Sequence, residues 1–378
     1  MKSRIHHQRR GNIIVMTALM LTGVIAFAAF AVDLGYLYAV RVELQRCADA
    51  SAIAAAWELI DKDGPAGTQT TTRLTTNAST KASQFAALNH VASEAPALGG
   101  GDVVVGYMAN PSSPSDALIT TPTGSLPNAV QIRVQRTSDQ NGQVPLFFAR
   151  VLGYDRESLT AQATAAYVSS FSGFKAPTNG DTLNILPFAL DQDTWNNLTT
   201  AGSDDWSYNA STKTVSAGSD GVKEVNLYPQ GTGSPGNRGT VDIGSSNNST
   251  ADIARQIVYG INSSDLAHLG GSIQFNSSGV LHLNGDTGIS AGVKDELASI
   301  IGQPRMIPIF SSVVGPGNNA DYTIVKFVGI RILDVKLTGS MSTKHVTIQP
   351  CNVVIKGGIY SSGATTTQYV YSPAWLVR

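Results

Sequence analysis

An unbroken apolar run near the N-terminus constrains this chain more than any other feature. Residues 13–32 contain only Thr17 and Thr22 as polar side chains. A helix of this length, at about 1.5 Å per residue, spans the ~30 Å hydrocarbon core of a bilayer. Asn12 is suited to cap the helix at its start, and Asp33 marks the return of the chain to water. The run therefore predicts a single transmembrane helix.

The charges before this run predict its orientation. The segment 1–12 contains no acid, and its cations are Lys2, Arg4, Arg9 and Arg10. Because positively charged flanks tend to stay inside, we expect a cytoplasmic tail over residues 1–12, with everything after Asp33 outside. A cleaved secretory signal is the alternative, since alanines recur between positions 26 and 31. Signal apolar segments are usually shorter, at about 7–15 residues, which favours a retained anchor.

The helical pattern continues beyond the apolar run. Apolar residues recur at the spacing of one helix face, and they are Leu37, Leu44, Ala48, Ala52, Ala55 and Leu59. Gly64 and Pro65 then end the pattern. We therefore predict a stalk helix over residues 33–60, packed either on a partner or on the chain's own following domain.

Composition limits the class of the remaining chain. Only 14% of residues are charged, against about 25% in typical soluble domains, and there are 37 glycines and 16 prolines. These turn-forming residues predict short strands joined by turns. Lys and Arg total 26 while Asp and Glu total 27, so the charge balance provides no basic surface for a nucleic acid. We expect a β-rich chain that does not bind DNA or RNA.

The order of sequence patterns predicts an α+β fold built from several segments. Residues 128–136 alternate like a strand, and residues 144–152 carry apolar side chains at helical spacing. Gly, Ser and Pro punctuate residues 171–182, which predicts a linker. After the stalk helix we therefore predict a linker with a short helix (61–101), a small strand-strand-helix-strand unit (102–170), the linker (171–182) and a β-rich exported domain (183–378). The last segment could be one domain or two.

Cys47 and Cys351 are the only cysteines. Outside the cytoplasm both would meet an oxidising compartment, where a disulfide between them would tie the stalk helix to the C-terminal domain. Pairing needs Cα atoms roughly 4.4–6.8 Å apart. Two separate thiols, or a bridge from Cys47 to another chain, are the alternatives.

Two short acidic motifs resemble known sites. Residues 286–288 (Asp-Thr-Gly) match one half of an aspartic-protease dyad, but the chain has a single copy, and the preceding residues 284–285 (Asn-Gly) favour a hairpin turn. Residues 191–193 (Asp-Gln-Asp) start like a calcium loop, yet Trp195 replaces an oxygen ligand, so a helix start is expected. The six histidines lack metal-ligand spacing. We predict no catalytic site, cofactor or metal.

Several segments resemble a known family when taken together. Residues 9–12 (Arg-Arg-Gly-Asn), the apolar run, residues 32–35 (Val-Asp-Leu-Gly) and the Ala-rich residues 44–56 follow one another in order. This part resembles the N-terminal segment of Flp (tight adherence, Tad) pilus-assembly proteins of the TadE/TadG-like family. Residues 145–153 (Pro-Leu-Phe-Phe-Ala-Arg-Val-Leu-Gly) are similar to the segment that follows in that family.

The resemblance implies a non-enzymatic protein of the bacterial inner membrane, with its bulk in the periplasm or at the cell surface and other pilus-apparatus proteins as partners. Pseudopilins of this system are cut after a glycine and usually carry Glu five residues later. Gly11 and Asn12 are thus a possible processing site, although Met16 stands at the fifth position. The chain is closest to the TadG-like branch, which is not thought to supply fibre subunits.

Some members of this family carry a von Willebrand A domain that holds a metal through Asp-x-Ser-x-Ser. Residues 242–246 begin with Asp242 and end with Ser246, but Gly244 has no hydroxyl to offer as the second ligand. We expect a turn at the end of a strand here.

Two functions from different classes are consistent with the sequence. The first is a membrane-anchored component of a Flp/Tad-type pilus-assembly or secretion apparatus. The alternative is an exported adhesive or ligand-binding module without a role in assembly, in which turns after Gly231, Gly315 or Ser361 contact the ligand.

Overall fold

The computed structural model describes residues 12–62, 64–113, 115–122, 124–244, 249–287 and 291–377. In this part of the chain the α-helices are α1 (Asn12–Ile60), α2 (Thr71–Leu88), α3 (Gln192–Asn196), α4 (Leu198–Ala201), α5 (Thr250–Tyr259), α6 (Ser263–Ala267) and α7 (Lys294–Ser299). Short 3-10 helices cover Ala149–Leu152, Gly317–Asn319 and Met341–Thr343. The predicted α+β class is confirmed, with a long apolar helix followed by a β-rich C-terminal region.

The strands follow the two N-terminal helices. They are β1 (Val103–Gly106), β2 (Ala129–Arg136), β3 (Val144–Pro145), β4 (Arg156–Glu157), β5 (Leu159–Ala166), β6 (Phe171–Lys175), β7 (Leu190–Asp191), β8 (Trp206–Asn209), β9 (Thr214–Ala217), β10 (Val225–Asn226), β11 (Ser272–Gln274), β12 (Leu281–Asn284), β13 (Pro304–Val314), β14 (Asp321–Lys336), β15 (His345–Pro350), β16 (Val353–Val354), β17 (Gly358–Tyr360), β18 (Thr367–Gln368), β19 (Val370–Tyr371) and β20 (Trp375–Leu376).

Helix α1 is one continuous helix of 49 residues whose two halves differ in burial. In the apolar run, residues 13–32, every large apolar side chain is at least half exposed, and Ile13 and Phe27 reach 80%. Further along, one face is buried by the chain itself through Val40, Leu44, Cys47, Ala48, Ala52, Ala55, Ala56, Leu59 and Ile60. The predicted continuation of the helix over residues 33–60 is confirmed, and its stripe packs on the protein's own following segments.

Contacts divide the chain into two compact units, and each is described by itself. The first contains the described residues up to Ala54 with Thr80–Val104 and Gln131–Thr164, and the second contains Ala55–Ser79, Val105–Val130 and the residues from Ala165 onward. Both units are discontinuous in sequence. The predicted domain boundaries remain a prediction.

The first unit is stabilised by small side chains at helix contacts and by buried carboxylates, of which Asp102 is one. The Cys47 thiol donates to the carbonyl oxygen of Ala86 in α2 at 3.7 Å. Helices can pack this closely only where the side chains between them are small, and alanines occupy this contact. Asp102, which is 2% exposed, accepts from the side chains of Arg133, Gln135 and Gln140 at 3.1, 2.9 and 2.6 Å. These donors compensate the cost of burying a charged group.

The second unit is built on a central sheet with strand order β10-β15-β14-β13-β7, to which β12 and β18 add on β14. One face of the sheet packs on the three-stranded sheet β11-β6-β17, through Phe174, Ile273 and Phe327 among others. The opposite face packs on helices α3, α5 and α7, through residues such as Trp195 and Ile257. Because the central strands are covered on both sides, their middle parts carry consecutive apolar residues rather than an alternating pattern, as at residues 306–310 of β13 and 327–330 of β14.

The structure gives local detail within two of the predicted segments. In residues 61–101, helix α2 begins directly after Thr70, whose hydroxyl accepts from the Arg73 N–H. In residues 171–182, Phe171–Lys175 form strand β6, which pairs with β11 on one edge and β17 on the other. Gly173 is there for close strand approach, since a Cβ would lie 2.3 Å from the Ile273 oxygen.

The predicted helix over residues 144–152 is a two-residue strand followed by a 3-10 helix. Val144 and Pro145 pair with β4, and the Leu146 N–H donates to the Asp155 oxygen at 2.9 Å. The left-handed Gly153 closes the segment. Strand pairing therefore leaves only four residues for the helix.

Candidate functional site

The first candidate site feature is Asp33, at the point where α1 leaves its apolar run. Its side chain is almost fully buried, at 4% exposed. The carboxylate accepts three backbone N–H groups, from Phe147 to Oδ1 at 2.8 Å and from Phe148 and Ala149 to Oδ2 at 3.0 and 2.7 Å. Sequence reasoning treated this residue only as the return of the chain to water. It clamps a distant segment to the helix.

The charge of Asp33 suits this role. Burial on its own raises the pKa of the carboxyl, but the three backbone donors and the nearby Arg150 guanidinium outweigh burial and hold the pKa below its ordinary value. The group is therefore ionised at neutral pH. An ionised carboxylate has only acceptor oxygens, which match three N–H donors.

The segment held by Asp33 is the apolar loop, defined here as residues 146–154. Leu146 is buried at its base, and the Arg150 guanidinium donates to the Leu146 oxygen at 2.8 and 3.1 Å. The Phe147 ring packs edge-on against Tyr36 of α1, with the ring centroids 5.2 Å apart. The loop is therefore held in one conformation beside the helix by the Asp33 carboxylate, by the ring contact and by the Arg150 hydrogen bonds.

The rest of the apolar loop faces outward. Val151 is 86% exposed, Leu152 78% and Tyr154 69%, and about half of Phe147 and of Phe148 is exposed. Single exposed apolar residues are ordinary on a protein surface, but a continuous group of this kind marks an interaction site. Because these apolar side chains are not covered by their own unit, we expect the apolar loop to contact either a binding partner or lipid.

The structure describes Asn12 of the predicted processing site and both cysteines. Gly11 lies outside the described residues, and Asn12 begins α1. Cys47 and Cys351 are both buried, and they belong to different units. The disulfide between them therefore stays a prediction, as does processing after Gly11.

Cys47 is expected to resist alkylation in the native protein. Its thiol is fully buried, and burial raises its pKa to about 11. Because the thiolate is the nucleophile, roughly one thiol in three thousand is reactive at pH 7.5.

Mass spectrometry after maleimide treatment should find Cys47 unmodified until guanidinium and a reductant are added. Tyr38→Cys, on the exposed face of the same helix, is the control and should react at once. Prompt native labelling of Cys47 would mean that it is accessible for a bridge between chains.

The acidic motifs are structural where the structure describes them. Asp191 caps α3 by accepting from the Thr194 N–H at 2.9 Å, which is the predicted helix start, and Trp195 packs inward. Asp286 accepts from the N–H of Thr287 in the turn after β12, while Gly288 lies outside the described residues. Ser245 and Ser246 of the metal-like motif also lie outside them.

Other polar groups in the described part of the chain form histidine–carboxylate pairs and line a groove. No group of three or more His, Cys, Asp or Glu that could hold a metal occurs within the described ranges. His282 and His345 each contact one carboxylate: Nδ1 of His282 lies 2.8 Å from Oδ2 of Asp321, and Nε2 of His345 lies 2.7 Å from Oδ2 of Asp334. The turn after Ser361 lines a polar groove of about 520 Å³ with the turn at residues 276–279.

Comparison with protein-family models decides the affiliation of the N-terminal part. Residues 11–58 match the model described as Flp pilus-assembly TadE/G-like, and residues 54–165 match the model described as Tad-like Flp pilus-assembly. Residues 11–165 are thus similar to Flp pilus-assembly proteins. The predicted resemblance is thereby confirmed, and neither match is to a catalytic family. No curated protein and no solved structure matches the chain.

The two pilus-assembly segments contain the whole candidate site. Asp33 lies in the first matched segment, and the apolar loop lies in the second. Residues 166–378, with the central sheet, extend beyond both models. Asp33 and the apolar loop therefore both lie in the part of the chain that matches the pilus-assembly models.

Proposed function

We propose that this protein is a non-enzymatic, single-pass membrane anchor of a Flp/Tad-type pilus-assembly apparatus, of the TadG-like branch. It resides in the bacterial inner membrane with residues 1–12 in the cytoplasm, and its two units hold other apparatus proteins in the periplasm or at the cell surface. The family match supports the apparatus. The membrane arrangement is supported by helix α1.

The observation that carries the proposal is the change of burial along α1. Within the described residues, one helix is long and apolar enough to cross a bilayer, and its apolar run is uncovered by the rest of the chain. Twelve large apolar side chains at least half exposed would be unfavourable in water, and they cost nothing in lipid. The same helix becomes buried by its own chain only after Asp33. A membrane span followed by a folded domain explains both halves.

Charge around the helix supports the orientation. Four cations precede the span, and within it, from residue 13 to residue 32, there is no charged side chain. The first acid after the span is Asp33, which is ionised and engaged in the clamp. By the positive-inside tendency the folded units lie on the side opposite the cytoplasm.

Membrane extraction of full-length protein tests the anchor. We expect wild-type protein to stay in the membrane fraction after an alkaline carbonate wash. Met20→Arg with Val24→Arg should release it, because two arginines near the helix centre cost about 5–7 kcal/mol on insertion. Met20→Leu with Val24→Leu is the matched control and should be retained. Release of wild-type protein, or retention of the double arginine variant, would contradict a membrane span.

Two further measurements test the side of the membrane on which the folded units lie and the proteins that they bind. Alkaline phosphatase fused after residue 377 is expected to be active, since that enzyme matures only after export, and an inactive fusion would reverse the topology. Crosslinking in the intact membrane should then recover other pilus-apparatus proteins. If it recovers none, the adhesive alternative gains, and its polar groove beside Ser361 becomes the place to test ligand binding.

A further inference from the structure

The apolar loop and the apolar run of α1 share the same degree of exposure. Val151 and Leu152, at 86% and 78% exposed, are as uncovered as Ile13 and Phe27, both at 80%. In α1 this exposure is explained by lipid under the proposed function. The apolar loop has no such explanation within its own unit, although its backbone is fixed by Asp33 and by the Tyr36 contact.

The position of the apolar loop relative to the span is bounded by chain geometry. The Asp33 carboxylate holds the N–H groups of Phe147 to Ala149 within 3.0 Å, and Asp33 directly follows the apolar run. If that run fills the ~30 Å hydrocarbon core, Asp33 stands at the boundary of the core. Three residues extend at most about 10 Å, so Leu152 lies within that distance of Ala149. The tip of the apolar loop therefore lies in the headgroup layer or just beside it.

We propose that the apolar loop is a second membrane contact, which inserts Val151 and Leu152 into the outer boundary of the bilayer that α1 crosses. This inference rests on the proposed membrane anchoring. The occupant is a lipid surface, because the loop is bonded to Asp33, directly after a run of exposed apolar side chains on α1, and its own outward apolar side chains are not covered by the unit.

Tyr154 in the loop fits this layer. It is 69% exposed, and Tyr and Trp are the aromatic residues enriched at membrane-water boundaries. Arg150 stabilises the loop itself, because its guanidinium donates to the Leu146 oxygen. Interfacial segments of this composition sit about 5–10 Å into the headgroup region. With α1 they give the first unit two attachment points, which fix its orientation toward the membrane.

Site-directed spin labelling of the full-length protein tests this contact. In a background with Cys47→Ala and Cys351→Ala, a single nitroxide is placed by Leu152→Cys, and separately by Val151→Cys. Ile25→Cys is the reference inside the span, and Asp139→Cys, in an exposed turn of the same unit, is the reference in water. Each protein is reconstituted in vesicles of phosphatidylethanolamine and phosphatidylglycerol. Collision rates are then measured with oxygen and with a water-soluble nickel chelate.

The expected result is an oxygen-to-nickel ratio at Leu152 and Val151 several-fold above that at Asp139 and approaching that at Ile25. A lipid-like ratio at Ile25 together with a water-like ratio at both loop positions would overturn the second contact and leave the anchor intact. A water-like ratio at Ile25 would overturn the anchor itself and the contact with it. Since Leu152 and Val151 are exposed, neither label removes a core contact.

Discussion

Leu44→Asp is expected to unfold the first unit, whereas Tyr38→Asp is expected to leave it folded. Leu44 is fully buried on the covered face of α1, and Tyr38 is 72% exposed on the same helix. Removing a buried leucine costs about 2–5 kcal/mol, and burying a carboxylate without a partner adds several more. The loss of about 5 kcal/mol or more is comparable with the whole stability of a domain.

Chemical unfolding of the full-length protein in detergent micelles provides the measurement. The Leu44→Asp protein should show a first transition lost or moved to much lower denaturant, with rapid proteolysis between residues 80 and 104. Equal stability of Leu44→Asp and Tyr38→Asp would mean that the second half of α1 is not packed on its own chain. Its apolar stripe would then be available to a partner, as a free stalk.

The covered stripe changes where partners of this protein should be sought. A stalk that exposes Leu44, Ala48 and Ala52 could pair with a neighbouring helix, but these side chains are all buried in the chain. The apparatus partners that we propose would therefore bind elsewhere on the two units. Mutations along the stripe should act through stability, and mutations that affect only assembly should map to exposed residues.

The parts of the fold that sequence reasoning predicted are those determined by local pattern. The long apolar helix and its continuation follow from composition and period within α1, and the helix at Thr250–Tyr259 follows from its cap and its apolar face. A local pattern is ambiguous where one residue type has two structural uses, as glycine has in linkers and at close strand contacts. Gly173 resembles a linker glycine, but it is required because the neighbouring strand leaves no room for a Cβ.

The candidate site was less accessible to sequence reasoning because it depends on contacts distant in sequence. Asp33 and Phe147 are 114 residues apart, and no periodicity connects them. The apolar residues 144–152 have helical spacing, yet strand pairing with Arg156 and Glu157 takes their first residues. The available signal was an acid placed directly after a long apolar run, together with a second apolar segment, most of whose side chains are not buried in a core. Only the fold brings the two together.

The largest expected effect in the second unit comes from Gly329→Ala. Gly329 lies in β14, and a Cβ there would stand 2.3 Å from the Cys351 oxygen and 2.5 Å from the Tyr369 oxygen. Backbone oxygens cannot move aside by changing rotamer, so β14 has to separate from the chain segments around it. We expect a loss of about 3 kcal/mol or more, which lowers the melting temperature by about 6–12 °C in a unit of this size.

Gly231→Ala is the matched control, because nothing lies within 4 Å of the added Cβ and its melting temperature should not change. Hydrogen exchange of the full-length protein shows how far the Gly329→Ala effect extends. The face of the sheet that contains Phe327 packs on β6, and the face that contains Val328 packs on α5. Because neighbouring side chains of β14 belong to both faces, exchange should accelerate equally in β6 and α5. Acceleration confined to one face would instead divide residues 183–378 into two domains that unfold independently.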